Sequence, residues 1–277
     1  MESGLYVVAT PIGNLGDITQ RALDVLAAAD LVAAEDTRTT RGLLARFNID
    51  NTVFAYHDHS DPRAARRIVD CVAGGGVVAL VSDAGTPLIS DPGYRLVREL
   101  QEAGLPVIPV PGACAAVAAL CASGLPTDRF LFEGFLPGKA AGRQARLQAL
   151  AERQETLVFY EAPHRVLDCV GDMRAAFGDA REALLAREVT KAFETLRRAP
   201  LAELEAFIAA DPNQQRGEIV LVVAGQREKE TTIDADTARL LRRLAEELPP
   251  KRAAAVVAEH TGLRKKQLYD FLLQDQG

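Results

Sequence analysis

Val77-Val78-Ala79-Leu80-Val81-Ser82-Asp83-Ala84-Gly85-Thr86-Pro87-Leu88-Ile89-Ser90-Asp91-Pro92-Gly93 decides the fold. Residues 77–81 are an unbroken apolar run after three glycines. Such a run predicts a strand covered on both faces, as in a parallel α/β sheet. It ends in a hydroxyl and a carboxylate, Ser82-Asp83, at the carboxyl end of a central strand, where open α/β sheets bind ligands. Ala84-Gly85 leaves room for a ligand close to the backbone. Asp91 is the expected N-cap and Pro92 the expected first residue of a helix running through Arg98. A tight turn without a ligand is the alternative. Seventeen residues carrying two Asp, two Pro and two Gly exceed what such a turn requires.

The rest of the chain repeats the pattern. Strands are expected at 5–9, 31–34, 53–56, 106–110, 130–135, 156–160, 183–188, 192–196 and 218–223, with helices between most of them, including 200–209. This is a doubly wound α/β arrangement. Polar loops recur at strand ends. Thr10 to Thr19 follows the first strand and lacks the dinucleotide fingerprint. Glu35-Asp36-Thr37-Arg38 follows the second and is either a site, a capped helix start with Asp36 or Thr37 as N-cap, or both. His57-Asp58-His59 follows the third; two histidines two apart make a weak metal motif, so no metal is expected. Glu161-Ala162-Pro163-His164-Arg165 follows the seventh. Pro111-Gly112-Ala113-Cys114-Ala115 opens an Ala-rich helix, suited either to a flat ligand against backbone N–H groups or to close packing on a sheet.

Gly74 to Ala79 matches G-x-G-x-x-A only as a string, because its glycines precede the strand. Gly134 to Lys139 is not a P-loop. Lys139, Arg143, Arg146 and Arg153 read as a solvated basic face. After a charged linker at 226–232, three short helices are expected, the last two joined by Thr261-Gly262-Leu263 in a helix-turn-helix pattern. Lys251, Arg252, Arg264, Lys265 and Lys266 there oppose a single Glu259.

Composition narrows the classes. The 277 residues are 48% hydrophobic with no apolar run of eighteen, and the start lacks a signal-peptide pattern, so a cytoplasmic protein with no membrane association is expected. The formal net charge of −6 argues against a generic nucleic-acid coat. Four cysteines without a C-x-x-C pair read as buried free thiols.

The loop Asp83-Ala84-Gly85-Thr86-Pro87…Ser90-Asp91-Pro92-Gly93 resembles that of the tetrapyrrole-methylase-like S-adenosylmethionine methyltransferases. It is most similar to the branch that methylates a cytidine ribose 2'-hydroxyl in 16S ribosomal RNA. Segments 161–165, 187–194 and 217–223 carry the same resemblance, so it spans residues 5–224. The first loop departs from it, with Ile12-Gly13-Asn14 for Pro-Gly-Asp. The resemblance implies two α/β domains of the tetrapyrrole-methylase type, 1–122 and 123–226, and a C-terminal helix-turn-helix-like module, 227–277. It implies S-adenosylmethionine held between the domains by Ile12, Gly13, Asp83, Ala84, Gly85, Thr86, Ile89, Cys114, Ala115 and Glu161. It further implies 16S rRNA as partner and a homodimer, and the acidic net charge points to an assembled 30S subunit whose shape helps docking in place of bare RNA. Base or cation candidates at the strand ends are Glu35, Asp36, His57, His164, Glu188 and Lys191, with Asp36, Lys191 and His164 the expected catalytic residues. Expected RNA contacts are Arg38, His57 and Arg165, then Lys251, Arg252, Arg264, Lys265 and Lys266. Two other readings stay open: a methylase of a small molecule or protein, and a nucleotide- or S-adenosylmethionine-sensing binding protein.

Overall fold

A computed structural model describes residues 1–57, 62–226 and 233–274. The chain forms two compact units, 1–226 and 227–277.

The first unit contains two five-stranded sheets. The N-terminal sheet is built from β1 (Gly4–Val8), β2 (Leu31–Ala34), β3 (Val53–Ala55), β4 (Val77–Val81) and β5 (Val107–Val110), in the order β3-β2-β4-β1-β5, with every pair parallel. Helices α1 (Gln20–Ala28), α2 (Thr37–Arg46), α3 (Pro62–Ala73) and α4 (Tyr94–Glu102) connect the strands. β4 lies at the centre and all five of its residues are buried. Alternation along the strand assigns its faces. Val77, Ala79 and Val81 pack with Ala22, Val25 and Leu26 of α1. Val78 and Leu80 pack with Ile68, Leu96 and Leu100 of α3 and α4.

The second sheet has the order β6-β7-β10-β8-β9, from β6 (Phe130–Phe135), β7 (Thr156–Glu161), β8 (Glu182–Arg187), β9 (Thr195–Pro200) and β10 (Ile219–Val223). Only β6 and β7 run parallel; the other pairs are antiparallel. One face carries Leu157, Phe159, Leu185 and Leu221 against α6 (Ala140–Leu150), α7 (Val166–Phe177) and α8 (Leu201–Ala210). The opposite face carries Val158, Leu184, Val220 and Val222, and α5 (Ala115–Ala122) covers it through Ala116, Ala119 and Leu120. Helix α5 therefore belongs to the second sheet, although the expected division at residue 122 gives it to the first half.

Four local expectations change. The helix after β4 starts at Tyr94, capped by Gly93 at φ 128°, so neither Asp91 nor Pro92 begins it. Asp91 instead stays in the loop, half-buried. β9 starts three residues later than expected, because 188–194 is a loop held by its own side chains: Thr190 N donates to Glu194 Oε2 at 2.6 Å. The basic stretch on α6 is not a free face. Arg143 is buried against Asp172 at 2.6 Å, and Arg146 pairs with Glu133 at 2.7 Å. Of the four thiols expected to be buried only Cys169 is; Cys121 is exposed and Cys71 and Cys114 are half-buried.

The second unit is a three-helix module, α9 (Ala235–Glu247), α10 (Pro250–Thr261) and α11 (Lys265–Gln274). Pro250 occupies the first turn of α10, and Gly262 at φ 74° ends it in the left-handed conformation that glycine tolerates. Leu241, Ala253, Ala254, Val257, Leu263, Leu268 and Leu272 form its core. Lys251, Arg252, Arg264, Lys265 and Lys266 are all exposed. Among the described residues no helix is long and apolar enough to cross a membrane.

Candidate active site between the two sheets

The site is built at the carboxyl ends of β1 and β4, the crevice position of an open parallel sheet. The loop after β1 and the loop after β4 are tied by a backbone pair: Thr10 N donates to Gly85 O at 2.8 Å and Gly85 N to Thr10 O at 3.1 Å. Against this pair lies a cavity of about 410 Å³. Ile12 and the segment Ala84-Gly85-Thr86 form one wall, with Ile89, Ser90 and Asp91 beyond them. Cys114 and Ala115, where α5 begins, form another. The second sheet and its loops contribute Phe135, Tyr160, Glu161, Val189 and the run Gly217 to Val220. Tyr160 is fixed on both sides. Its hydroxyl accepts from Ala116 N at 3.2 Å, and its ring meets Phe135 edge-on with centroids 5.7 Å apart.

Strained backbone concentrates here. Leu88 (φ 73°), Ser90 (φ 64°), Glu188 (φ 50°) and Thr190 (φ 67°) are non-glycine residues with positive φ, all in two loops that border the cavity. Each costs on the order of 1–3 kcal/mol, and such outliers gather at ligand sites.

Eight of the ten residues expected at the cofactor line this one cavity: Ile12, Ala84, Gly85, Thr86, Ile89, Cys114, Ala115 and Glu161. Gly13 and Asp83 line a second cavity instead, of about 350 Å³. A Cβ on Gly13 would sit 2.3 Å from Lys191 Cγ, so that glycine makes room for the lysine stem. Glu161 borders the cavity, but its buried carboxylate is already occupied. It accepts from Ala162 N at 2.7 Å and lies 3.3 Å from Arg165 Nε.

The three expected catalytic residues are not cavity-lining. Asp36 caps α2, accepting from Arg38 N at 2.8 Å, and the Arg38 guanidinium at 2.7 Å holds its carboxyl at about 2. A carboxylate so stabilised is a weak base. His164 is exposed on the short turn after β7. Lys191 Nζ bonds Glu188 Oε1 at 2.8 Å and lies 3.2 Å from Glu218 Oε2. Burial works against its charge, yet Glu188 and Glu218 outweigh that and raise the ammonium above the ordinary lysine value. Lys191 is thus a fixed cation, not a base. Arg165 turns inward as well, its Nη2 donating to Leu136 O at 3.0 Å and Pro137 O at 3.1 Å. Arg38 and His57 are exposed; Asp58, His59 and Asp61 of the same expected loop lie outside the described residues.

Sequence reasoning missed Asp91 by assigning it to a helix cap. Its carboxyl is half-buried in the cavity wall; burial first, and then the Asp83 charge, push it above the usual aspartate range. Glu35 is raised too, by burial and by Asp91 and Asp83. The signal available in the sequence was the pairing of two acids eight residues apart around a single short loop.

Lys191, Glu188 and Glu218 link the halves of the site, since the lysine stem crosses Gly13 while its head reaches the second sheet. Lys191→Met should keep the stem and lower the unfolding free energy by about 1–3 kcal/mol, read by urea denaturation. The lysine is raised, so its contribution is complete below the ordinary lysine value and lost as pH rises through the folded one. Burial opposes the Glu188 carboxylate, but Lys191 and the Glu218 amide hold it below the usual range. Its contribution is therefore lost only as pH falls through that depressed value. The penalty should be flat across neutral pH; its absence at pH 7 would refute this role.

Two α/β halves around one cavity, with a parallel first sheet and a mixed second, define a two-sheet α/β protein with a crevice site. Residues 4–205 match the family model described as Tetrapyrrole (Corrin/Porphyrin) Methylases, and residues 231–276 match one described as RsmI C-terminal HTH domain. Among solved structures, the methyltransferase CobJ superposes with a TM-score of 0.60 at 20% identity, covering 82% of this chain and 97% of that one. The uroporphyrin-III C-methyltransferase of Thermus thermophilus complexed with S-adenosyl homocysteine gives 0.54 at 22% identity, covering 80% and 97%. A curated relative from Pseudomonas aeruginosa, Ribosomal RNA small subunit methyltransferase I, is 57% identical over 99% of this chain and 98% of its own length. The chain belongs to the tetrapyrrole methylases, in the branch of ribosomal RNA small subunit methyltransferase I. It is a methyltransferase of the tetrapyrrole-methylase fold with a C-terminal helix-turn-helix domain.

Proposed function

We propose that this protein transfers the methyl group of S-adenosylmethionine to the ribose 2'-hydroxyl of a cytidine in 16S rRNA, within an assembled 30S subunit. The observation that carries the reading is the convergence of two sheets on one 410 Å³ cavity lined by small residues, with a half-buried carboxylate in its wall. The volume is ordinary for a ligand pocket, about 300–1,000 Å³. The residues fit the donor. Ala84, Gly85 and Ala115 leave backbone exposed to a flat ligand, Ile219 and Val220 give an apolar floor, and Asp91 offers negative charge to a cation. The relative named for small-subunit rRNA and the neighbour complexed with S-adenosyl homocysteine support both ends of the assignment.

When bound, S-adenosylmethionine supplies an electrophilic methyl on a sulfonium cation. The chain must align the hydroxyl and take its proton. Alignment supplies up to roughly 7–11 kcal/mol of the barrier. The proposal gives the proton to Asp91. Its pKa is raised by burial and Asp83, which makes it a better base than Asp36. Lys191, paired with Glu188 and with the cavity-lining Glu218, anchors that wall of the cavity. The exposed basic residues of α10 and α11 form the RNA-facing surface of the C-terminal domain, and concentrating charge there reconciles RNA binding with a net charge of −6. A homodimer belongs to the proposal; exposed Phe193 and Leu196 offer apolar surface for a second copy.

Labelled S-adenosylmethionine incubated with purified 30S subunits should place label on one cytidine, as a 2'-O-methyl. No incorporation, with S-adenosylhomocysteine binding still measurable, would defeat the 30S assignment and favour a small-molecule substrate.

A further inference from the structure

Arg165 does not line the proposed methyl-donor cavity, yet it ties together two strand ends that do. β6 ends at Phe135 and β7 at Glu161, and both residues border the cavity. The two strands run parallel, and the ladder between them stops at Phe135 and Tyr160. Arg165, on the short turn before α7, supplies the next tie. On the β6 side its Nη2 donates to Leu136 O at 3.0 Å and to Pro137 O at 3.1 Å. On the β7 side its Nε lies 3.3 Å from Glu161 Oε1. We propose that Arg165 is a positioning residue for the methyl donor, fixing the Phe135 and Glu161 walls of the cavity through this three-way contact. The inference rests on the methyl-donor reading above.

The contact is built into the fold. The Glu161 side chain has no exposure, and that of Arg165 is 20% exposed. A carboxylate buried to that degree requires pairing. Glu161 has the Ala162 amide and the Arg165 guanidinium. Leu136 packs in the core beneath the second sheet, which makes its carbonyl a fixed anchor. A planar guanidinium presents its donors in fixed directions, so one side chain meets two carbonyls and a carboxylate together. A lysine ammonium on its flexible stem does not fix that geometry.

One detail shows how the parts are held. Arg165 Nε is buried and forms no hydrogen bond, although Glu161 Oε1 is near. The two carbonyls therefore set where the guanidinium sits. Ala162 N, at 2.7 Å, sets Glu161 Oε1, and charge attraction holds one group to the other. Displacing either side of this contact shifts a wall of the cavity.

Arg165 is also an expected RNA contact, and the two roles predict opposite results. Calorimetry with S-adenosylhomocysteine and steady-state methylation of 30S subunits, both with the full chain, separate them. Arg165→Met should raise the Kd for S-adenosylhomocysteine and the KM for S-adenosylmethionine at least about tenfold, because small misplacements of binding groups are costly. Its kcat at saturating methyl donor, its KM for 30S and the salt dependence of that KM should stay near wild type. Glu161→Gln should show the same binding defect, and the double variant no more than either single one, because both act through one contact. Arg165→Lys keeps a charge beside Glu161 without the fork and should fall between; it carries the test if Arg165→Met does not fold. Wild-type affinity for S-adenosylhomocysteine in the folded Arg165 variants overturns the positioning role. A raised KM for 30S whose log–log salt dependence is shallower by about one, with that affinity intact, overturns it in favour of an RNA contact. Wild-type protein that binds no S-adenosylhomocysteine overturns the methyl-donor reading itself.

Discussion

Gly85→Val should abolish measurable binding of S-adenosylhomocysteine, raising its Kd at least about 100-fold. Gly85 has φ 85°, a left-handed conformation that a β-branched residue adopts only under strain. Its Cβ would stand 3.3 Å from Ile12 Cγ2 and 3.7 Å from Ala113 O, and the added methyls would extend into the cavity. Gly85 is held in that wall by its backbone pair with Thr10. The strain itself, about 1–3 kcal/mol, lowers the thermal midpoint by only a few degrees in a unit of this size. Binding loss with a folded protein is thus the expected outcome, and Gly85→Ala should fall between, because it adds one tight contact. Calorimetry together with thermal denaturation decides the matter. Wild-type affinity in a folded Gly85→Val would show that the ligand lies elsewhere.

Asp91→Asn should lower kcat on 30S subunits by about 10²–10⁴-fold while the Kd for S-adenosylhomocysteine changes little. Asparagine is isosteric but takes no proton. The pH profile provides a second readout. Burial and the Asp83 charge hold the Asp91 carboxyl above the usual aspartate range. The carboxylate must be ionised to act, so activity is full above that raised value and lost as pH falls through it. Asp83→Asn removes the neighbouring charge and should move the acid limb to lower pH. A kcat for Asp91→Asn near wild type would transfer the role to another group, with Glu35, also raised by burial, the next candidate.

The residues chosen from sequence divide by the kind of signal they carried. Ala84 and Gly85 lack bulk at a strand end, which lets a ligand approach the backbone, and small residues open the helix at Cys114-Ala115; Thr86 comes in only through the family resemblance, and the cavity gathers all five. That requirement is local, so it is legible in one dimension. Asp36, His164 and Arg165 were chosen for residue type at a strand end. Their side chains turn to a helix cap, to open surface and to two carbonyls respectively. Residue type gives no direction for a side chain. Asp91 shows the converse: read as a helix start, it is a cavity carboxylate, because Gly93 and not Asp91 turns the chain into α4.

The sequence alone determined the strands and helices, since apolar runs, periodicity and turn residues act within a few neighbours. The central position of β4 was legible for the same reason, because only a strand covered on both faces needs five consecutive apolar residues. The same local signals mark the three-helix C-terminal module through Pro250 and Gly262. Tertiary structure decided the rest. It put α5 on the second sheet and laid the Lys191 stem across Gly13. It joined Thr10 and Gly85, 75 positions apart, in a backbone pair. Those contacts join segments distant along the chain, and the burial and neighbouring charge that set Asp91 apart from Asp36 exist only once the sheets have met.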